Sequence, residues 1–288
     1  MPFLSPMLIF SDRAQLSQFI HNARCAGHAI GFVPTMGALH KGHASLLQAA
    51  RRQNEVVVCS IFVNPTQFNN ADDFTHYPKT LEPDLEMCRQ AGADAVFVPT
   101  TALMYPQKTV LQFNFGPLEN VMEGEHRPGH FNGVATIVSK LFHFVQPTRA
   151  YFGQKDLQQF AIVQQLVHDL SFDLELVRCP ILREDDGLAM SSRNVRLNPE
   201  ERELAAQLYQ ALLKGREMAV SGRFAEVKPA MLAHLAQFPD IKPEYAELAD
   251  AQTLQPITKI TPANTAALCL AAQVGPVRLI DNELITVH

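Results

Sequence analysis

The chain has 288 residues, enough for one large domain or two modest ones and for a core that needs no disulfide or metal staple. Apolar residues make up 47%, and 24 basic against 29 acidic residues leave a net charge of −5; this excludes disorder and, with no long basic run, a nucleic-acid partner held by phosphate neutralisation. No apolar run approaches the ~20 residues that span a bilayer, and the five scattered cysteines form no C-x-x-C, which predicts free thiols in a reducing cytoplasm.

Residues 1–10 are apolar but hold two prolines and no basic n-region, so a signal peptide is not expected. Residues 29–33 read as a short buried strand that stops at Pro34. A helix over 42–53 follows, with Leu46, Leu47 and Ala50 on one face. Residues 56–63 form a β-branched, nearly continuous apolar run closed by Asn64-Pro65, the pattern of a central strand. Leu85, Cys88 and Arg89 lie in a helix that ends near Gly92, and residues 95–98 form a third strand closed by proline. A helix over 132–145 carries Val134, Ile137, Val138, Leu141 and Val145 at helical spacing. Residues 150–152 are a short strand, 156–170 a periodic helix and 174–177 a further strand. Strands alternating with helices predict parallel pairing and right-handed crossovers, hence an α/β, doubly wound sheet with ligands outside the carboxyl ends of its strands.

The pattern changes after about residue 180. Asn198 and Pro199 supply an N-cap and a first-turn proline, and Glu201 sits at the capping-box position of a helix expected to run to about 218. A second helix covers 225–237, and residues 245–248, 266–271 and 277–280 read as strands. Helices followed by strands predict a second, smaller α+β domain, with the boundary near Pro180. Residues 1–180 and 181–288 are the two expected domains.

The most informative segment is 34–43, P-T-M-G-A-L-H-K-G-H, which follows a strand and opens a helix. Gly37 and Gly42 let a ligand approach the backbone. The helix start offers free amides and the positive end of a dipole, which favour phosphate. His40 and His43, three apart, can face one ligand and donate to charge developing at phosphorus. A lone H-x-x-H would as readily be a metal pair or two solvated histidines, but the strand–loop–helix setting with both glycines favours phosphate. In Phe152-Gly153-Gln154-Lys155-Asp156, Lys155 offers a point charge to phosphates, and Asp156 is either a ribose acceptor or the N-cap partner of Gln159. Met190-Ser191-Ser192-Arg193 follows a polar turn, and its hydroxyls and guanidinium suit triphosphate oxygens or, equally, a plain surface loop.

The H-K-G-H of this segment resembles the HIGH signature of the nucleotidyltransferase superfamily. Its wider frame is similar to the pantothenate synthetase (pantoate–β-alanine ligase) family. Further segments match that family in its own order: I-F-V-N-P-T-Q-F at 61–68, R-P-G-H-F-N-G-V at 127–134, F-G-Q-K-D at 152–156 and M-S-S-R-N at 190–194. The last hundred residues carry no such motif. The resemblance implies a Rossmann-like nucleotide- and pantoate-binding domain and a smaller domain covering the active site. It also implies ATP-dependent condensation of pantoate with β-alanine through a pantoyl adenylate, releasing AMP and pyrophosphate, by a cytoplasmic homodimer using Mg²⁺. Such an enzyme serves pantothenate and coenzyme A biosynthesis.

Residue by residue, the resemblance implies that His40, His43, Lys155, Ser191, Ser192 and Arg193 hold the phosphates. Pro34, Thr35, Met36, Gly42, Gly153, Gln154, Asp156, Leu182 and Met190 then join His43 around the nucleotide. Gln67 and Gln159 hold pantoate, with Met36, Asn64, Arg127 and His130 beside them. Ala189 stands where the superfamily's mobile KMSKS-type loop has lysine, which leaves the charge to Lys155 and Arg193. Asp84 stands where the family has an acidic pair near Mg²⁺, with Pro83 in the neighbouring place. Three other readings share parts of this pattern: a nucleotidyltransferase acting on a phosphorylated acceptor, a metallohydrolase on His40, His43, His126 and His130, and a nucleotide-binding regulator that releases no pyrophosphate.

Overall fold

The computed structural model describes residues 6–261 and 265–286, so half of the apolar start lies outside the described residues. Two compact units emerge. One gathers residues up to 115, 127–153 and 162–180; the other gathers 116–126, 154–161 and the chain from 181 onward. A single cut at Pro180 therefore misses two earlier segments, because each packs with the second unit.

Up to residue 180 the order is β1 (Leu8–Phe10), α1 (Arg13–Cys25), β2 (Ile30–Thr35), α2 (Lys41–Gln53), β3 (Val56–Ile61), α3 (Ala71–Thr75), α4 (Leu81–Ala91), β4 (Ala95–Phe97) and α5 (Thr101–Met104). Then come α6 (Met122–His126), α7 (His130–Val145), β5 (Arg149–Gly153), α8 (Leu157–Asp169) and β6 (Glu175–Cys179). The first unit holds a six-stranded sheet in the order β1-β4-β3-β2-β5-β6, parallel throughout. This is the expected doubly wound, Rossmann-like α/β fold. The chain runs outward from β2 through β3 and β4, then returns to the other side of β2 for β5 and β6. That reversal places the switch point between the carboxyl ends of β2 at Thr35 and β5 at Gly153. Every residue of β3 is buried, as a central parallel strand covered on both faces requires.

Sequence reading placed the end of the first strand at Pro34, but β2 continues to Thr35. The Ile30 carbonyl accepts the Thr148 amide and the Ile30 amide donates to the Thr148 hydroxyl just before β5, so Ile30, Phe32 and Pro34 direct their backbone groups to that side. The pairing with β5 ends at Phe32, so the missing N–H of Pro34 breaks no ladder bond. Both β1 and α1 went unread. Three residues give β1 no measurable periodicity. The signals for α1 were present: Asp12 accepts the amides of Ala14 and Gln15, and Leu16, Ile20 and Ala23 share the buried face. Helix α7 starts two residues earlier than expected because Gly129, at φ +79°, turns the chain into it at His130.

The second unit carries α9 (Pro199–Ala205), α10 (Gln207–Val220), α11 (Val227–Leu235) and the antiparallel sheet β7 (Ile241–Asp250), β8 (Ala266–Val274), β9 (Val277–Ile285), with β8 central. The capping box forms as read: Asn198 accepts the Glu201 amide at 2.8 Å and Glu201 accepts the Asn198 amide at 2.9 Å. The expected single helix is broken at Ala206 into α9 and α10. A Cβ on Gly215 would lie 2.8 Å from Met231 and 3.1 Å from Leu268, so this glycine sets the close approach of α10 to α11 and β8. The three strands run longer than the hydrophobic pattern suggested, because their added ends carry polar residues such as Lys242, Glu244, Gln273, Asp281 and Asn282 that break the apolar run while the ladder continues.

Candidate active site

The loop from β2 to α2 is built by hydrogen bonds that end at one carboxylate. Thr35 Oγ1 donates to Ser60 O at 2.7 Å and accepts the Gly37 amide at 3.3 Å. Gly37 (φ +82°) and Ala38 (φ +49°) are both left-handed. Asp84, 2% exposed at the start of α4, accepts the amides of Ala38 at 2.9 Å and Leu39 at 2.7 Å, plus the Thr80 hydroxyl at 3.1 Å. The φ at position 37 favours glycine, and a Cβ there would also lie tight against this carboxylate at 3.1 Å. Asp84 was expected near Mg²⁺. Its oxygens instead hold the loop, accepting two converging amides on consecutive residues. Among the described residues, no group of three or more His, Cys, Asp or Glu could hold a metal ion.

His40 is the N-cap of α2. Its Nδ1 accepts the Gly42 amide at 3.1 Å, and His43 Nδ1 accepts the His40 amide at 3.3 Å, a capping box made of two imidazoles. The rings stand 4.1 Å apart. A nitrogen that accepts an N–H carries no proton, so the proton of each neutral ring sits on Nε2. Both histidines thus become oriented Nε2–H donors at a helix start on the switch-point strand, which suits stabilisation of anionic oxygen.

A second group forms beyond β3. Asn64, Gln67 and His130 are buried. Asn64 Nδ2 donates to Gln67 Oε1 at 3.1 Å and Gly133 O at 3.2 Å, while its Oδ1 accepts the Tyr105 hydroxyl at 2.7 Å. Gln67 Nε2 donates to Met36 Sδ at 3.1 Å. His130 Nδ1 donates to Gln67 O at 2.8 Å, with Arg127 at 3.5 Å from the same carbonyl. The structure therefore brings Met36, Asn64, Gln67, Arg127 and His130 together around one turn. Tyr105 belongs to the same network and was missed, because nothing local marks an aromatic hydroxyl aimed at a residue 41 positions away. Gly133 lets α7 approach that turn: a Cβ there would lie 2.3 Å from Thr66 O and 2.7 Å from Gln67 N. Gly133→Ala is expected to destabilise the protein by about 1–3 kcal/mol, as thermal melts would reveal.

In the second unit, Gln154–Asp156 is a 3₁₀ turn leading into α8. Asp156 lies within it, with its carboxylate 3.9 Å from Lys155 Nζ. Gln159 is half-buried on α8. The neighbouring Gln158, buried, binds Leu118 O, Val121 O and the Glu123 amide, a structural role. Residues 183–189 form a small hairpin closed by an Arg183–Ala189 bridge, and the Met190 amide donates to Leu182 O at 3.0 Å. Leu182 is 40% exposed, whereas Met190 and Ser192 are buried. The Arg193 amide donates to Ser191 Oγ at 3.3 Å. Sequence reading gave no part to Asp281 and Asn282, both buried on β9. Burial pushes the Asp281 carboxyl up, opposed by the adjoining Arg183 guanidinium. Of the histidines considered for a metal, His126 Nδ1 lies 3.8 Å from Glu244, and His130 is engaged as above.

A paired-histidine helix start at the switch point of a doubly wound parallel sheet defines an α/β enzyme of the HIGH-signature nucleotidyltransferase superfamily. The family model described as pantoate-beta-alanine ligase matches residues 8–284. The chain is 49% identical to the pantothenate synthetase of Aquifex aeolicus over 96% of its own length and 98% of that protein. It is 46% identical to that of Cytophaga hutchinsonii over 97% and 99%. The crystal structure of the Thermus thermophilus pantothenate synthetase superposes with a TM-score of 0.88 at 44% identity, covering 96% of this chain and 99% of that one. A Francisella tularensis pantoate-beta-alanine ligase complexed with beta-gamma ATP and beta-alanine gives 0.81 at 35% identity, covering 96% and 97%. The chain belongs to the pantoate–β-alanine ligase family, and its activity is the ATP-dependent joining of pantoate to β-alanine.

Proposed function

We propose that the reaction runs in two steps through a pantoyl adenylate. The pantoate carboxylate attacks the α-phosphorus of ATP and pyrophosphate leaves. The β-alanine amine then attacks the acyl carbon, loses a proton, and AMP departs with the electrons of the broken C–O bond. The observation that carries this reading is the imidazole capping box, which points two Nε2–H donors from a helix start at the switch point. A carboxylate is already ionised, so the first step needs positioning and charge stabilisation rather than a base. His40 and His43 stabilise the oxygens at the α-phosphorus, and Lys155, Ser191, Ser192 and Arg193 hold the remaining phosphates. Pro34, Thr35, Met36, Gly42, Gly153, Gln154, Asp156, Leu182 and Met190 frame the nucleotide. Gln67 and Gln159 take the hydroxyls and carboxylate of pantoate, with Asn64, Arg127 and His130 supporting that pocket.

Asp84 is engaged with backbone amides and does not fit a metal role, so Mg²⁺ enters on the nucleotide phosphates and no step is routed through it. The enzyme works in the cytoplasm as a homodimer. Light scattering would test the dimer.

Pyrophosphate release from Mg-ATP and pantoate tests the pathway. Release that requires pantoate, with sustained AMP formation only when β-alanine is added, is expected. Absence of pantoate-dependent release would overturn the adenylate. Gln67→Ala is expected to raise the pantoate KM about tenfold, the worth of one or two lost hydrogen bonds, while ATP binding measured by calorimetry stays near wild type.

A further inference from the structure

The adjacent buried residues Asp281 and Asn282 on β9 each hold a different phosphate-binding segment. The Asn282 side chain is 2% exposed and meets the turn before α8 three times. Its Nδ2 donates to Gln154 O at 3.0 Å and Lys155 O at 2.9 Å, and its Oδ1 accepts Gln154 Nε2 at 3.2 Å. Asp281 takes Arg183 in a two-pronged pair at 2.6 and 3.1 Å. Arg183 also donates to Asn282 O at 3.1 Å and to Gly187 O at 3.0 Å, and lies 3.8 Å over the Tyr209 ring. Gly187 has φ +92°, and a Cβ there would meet Tyr209 at 2.2 Å. The hairpin that leads into Met190–Arg193 is thereby tied to the same strand as the backbone of Lys155. Because β9 pairs only with β8, its other edge is open to receive both segments.

The structure assigns Asn282 as a positioning residue that sets Lys155 for ATP, with the Asp281–Arg183 pair registering the second phosphate-binding segment against it. This rests on the proposed role of Lys155. An amide suits the post, since one side chain must both donate to two carbonyls and accept one N–H, which neither aspartate nor leucine can do.

Steady-state kinetics of the full-length enzyme carrying Asn282→Ala, Lys155→Ala and both tests the assignment. Asn282→Ala is expected to lower kcat/KM for ATP by up to about 10²-fold, the scale of a small misplacement of a catalytic group. The KM for pantoate and for β-alanine should stay within about twofold, and on top of Lys155→Ala the Asn282 substitution should add less than about twofold. Multiplicative losses in the double variant, or an equal loss toward pantoate, would overturn the assignment. An unchanged ATP response in Lys155→Ala alone would instead overturn the role of Lys155. Thermal melts monitor folding, and Asn282→Ser carries the same test if the alanine variant is unfolded. Loss of the fold in both would mean that Asn282 is structural, and the assignment would fall.

Discussion

His43→Ala is expected to slow pyrophosphate release from ATP and pantoate by about 10²- to 10³-fold, the usual effect of deleting one preorganised donor to a developing anion. Pantoate affinity, measured by calorimetry, should barely change. The reason is geometric. His43 Nδ1 accepts the His40 amide, so in the neutral ring the proton sits on Nε2, the group proposed to act on the substrate. Alanine removes both functions and leaves the His40 amide without its cap. The substitution His43→Asn separates them: the amide oxygen it introduces can reach the position of Nδ1, but nothing replaces Nε2–H. The asparagine variant should therefore melt like wild type and be as slow as alanine. Equal losses in pantoate binding and in rate would show that His43 shapes the ground state and has no special part in the transition state.

Asp84→Ala should produce the largest loss of stability of any single change at the site. It strips the acceptor from two part-buried amides on consecutive residues, Ala38 and Leu39, at the left-handed turn that Gly37 and Ala38 make. At about 1–3 kcal/mol for each unpaired buried group, a loss of about 3 kcal/mol is expected, or a fall in Tm of roughly 5–10 °C for a chain of this size. Activity should collapse too, because the same turn delivers His40 to the start of α2. Asp84→Asn keeps one acceptor and turns an N–H toward an amide N–H, so it should be nearly as harmful. If Asp84 served mainly as a metal ligand, the asparagine variant would keep its melting temperature and need more Mg²⁺. Measuring both quantities on the one variant decides the point.

How much of this could be read from residue order alone varies by element. The paired histidines, both site glycines and the capping box at Asn198 were legible because their signals are confined to one or two turns of chain. The α/β alternation was legible for the same reason, and α1 could have been, had Asp12 been weighed with Leu16, Ile20 and Ala23. The hold of Asp84 on the loop was not legible because an acid in the first turn of a helix has several local explanations, and the amides it accepts lie 46 and 45 residues earlier. The longer extent of β7, β8 and β9 was hidden by polar residues at their ends, such as Lys242, Glu244, Asp281 and Asn282, whose place in a strand depends on the partner strand.

Sequence by itself determined the class of fold and the family, since both are written in short-range patterns of motif, turn and hydrophobic period. Only the tertiary structure decided which buried polar groups meet: Asp84 with the loop, His130 with Gln67 across 63 positions, and Asn282 with Lys155 across 127. A buried donor must find an acceptor, but any of several would satisfy it locally. Which one it meets is set by how the strands and helices pack, and that depends on the whole chain at once.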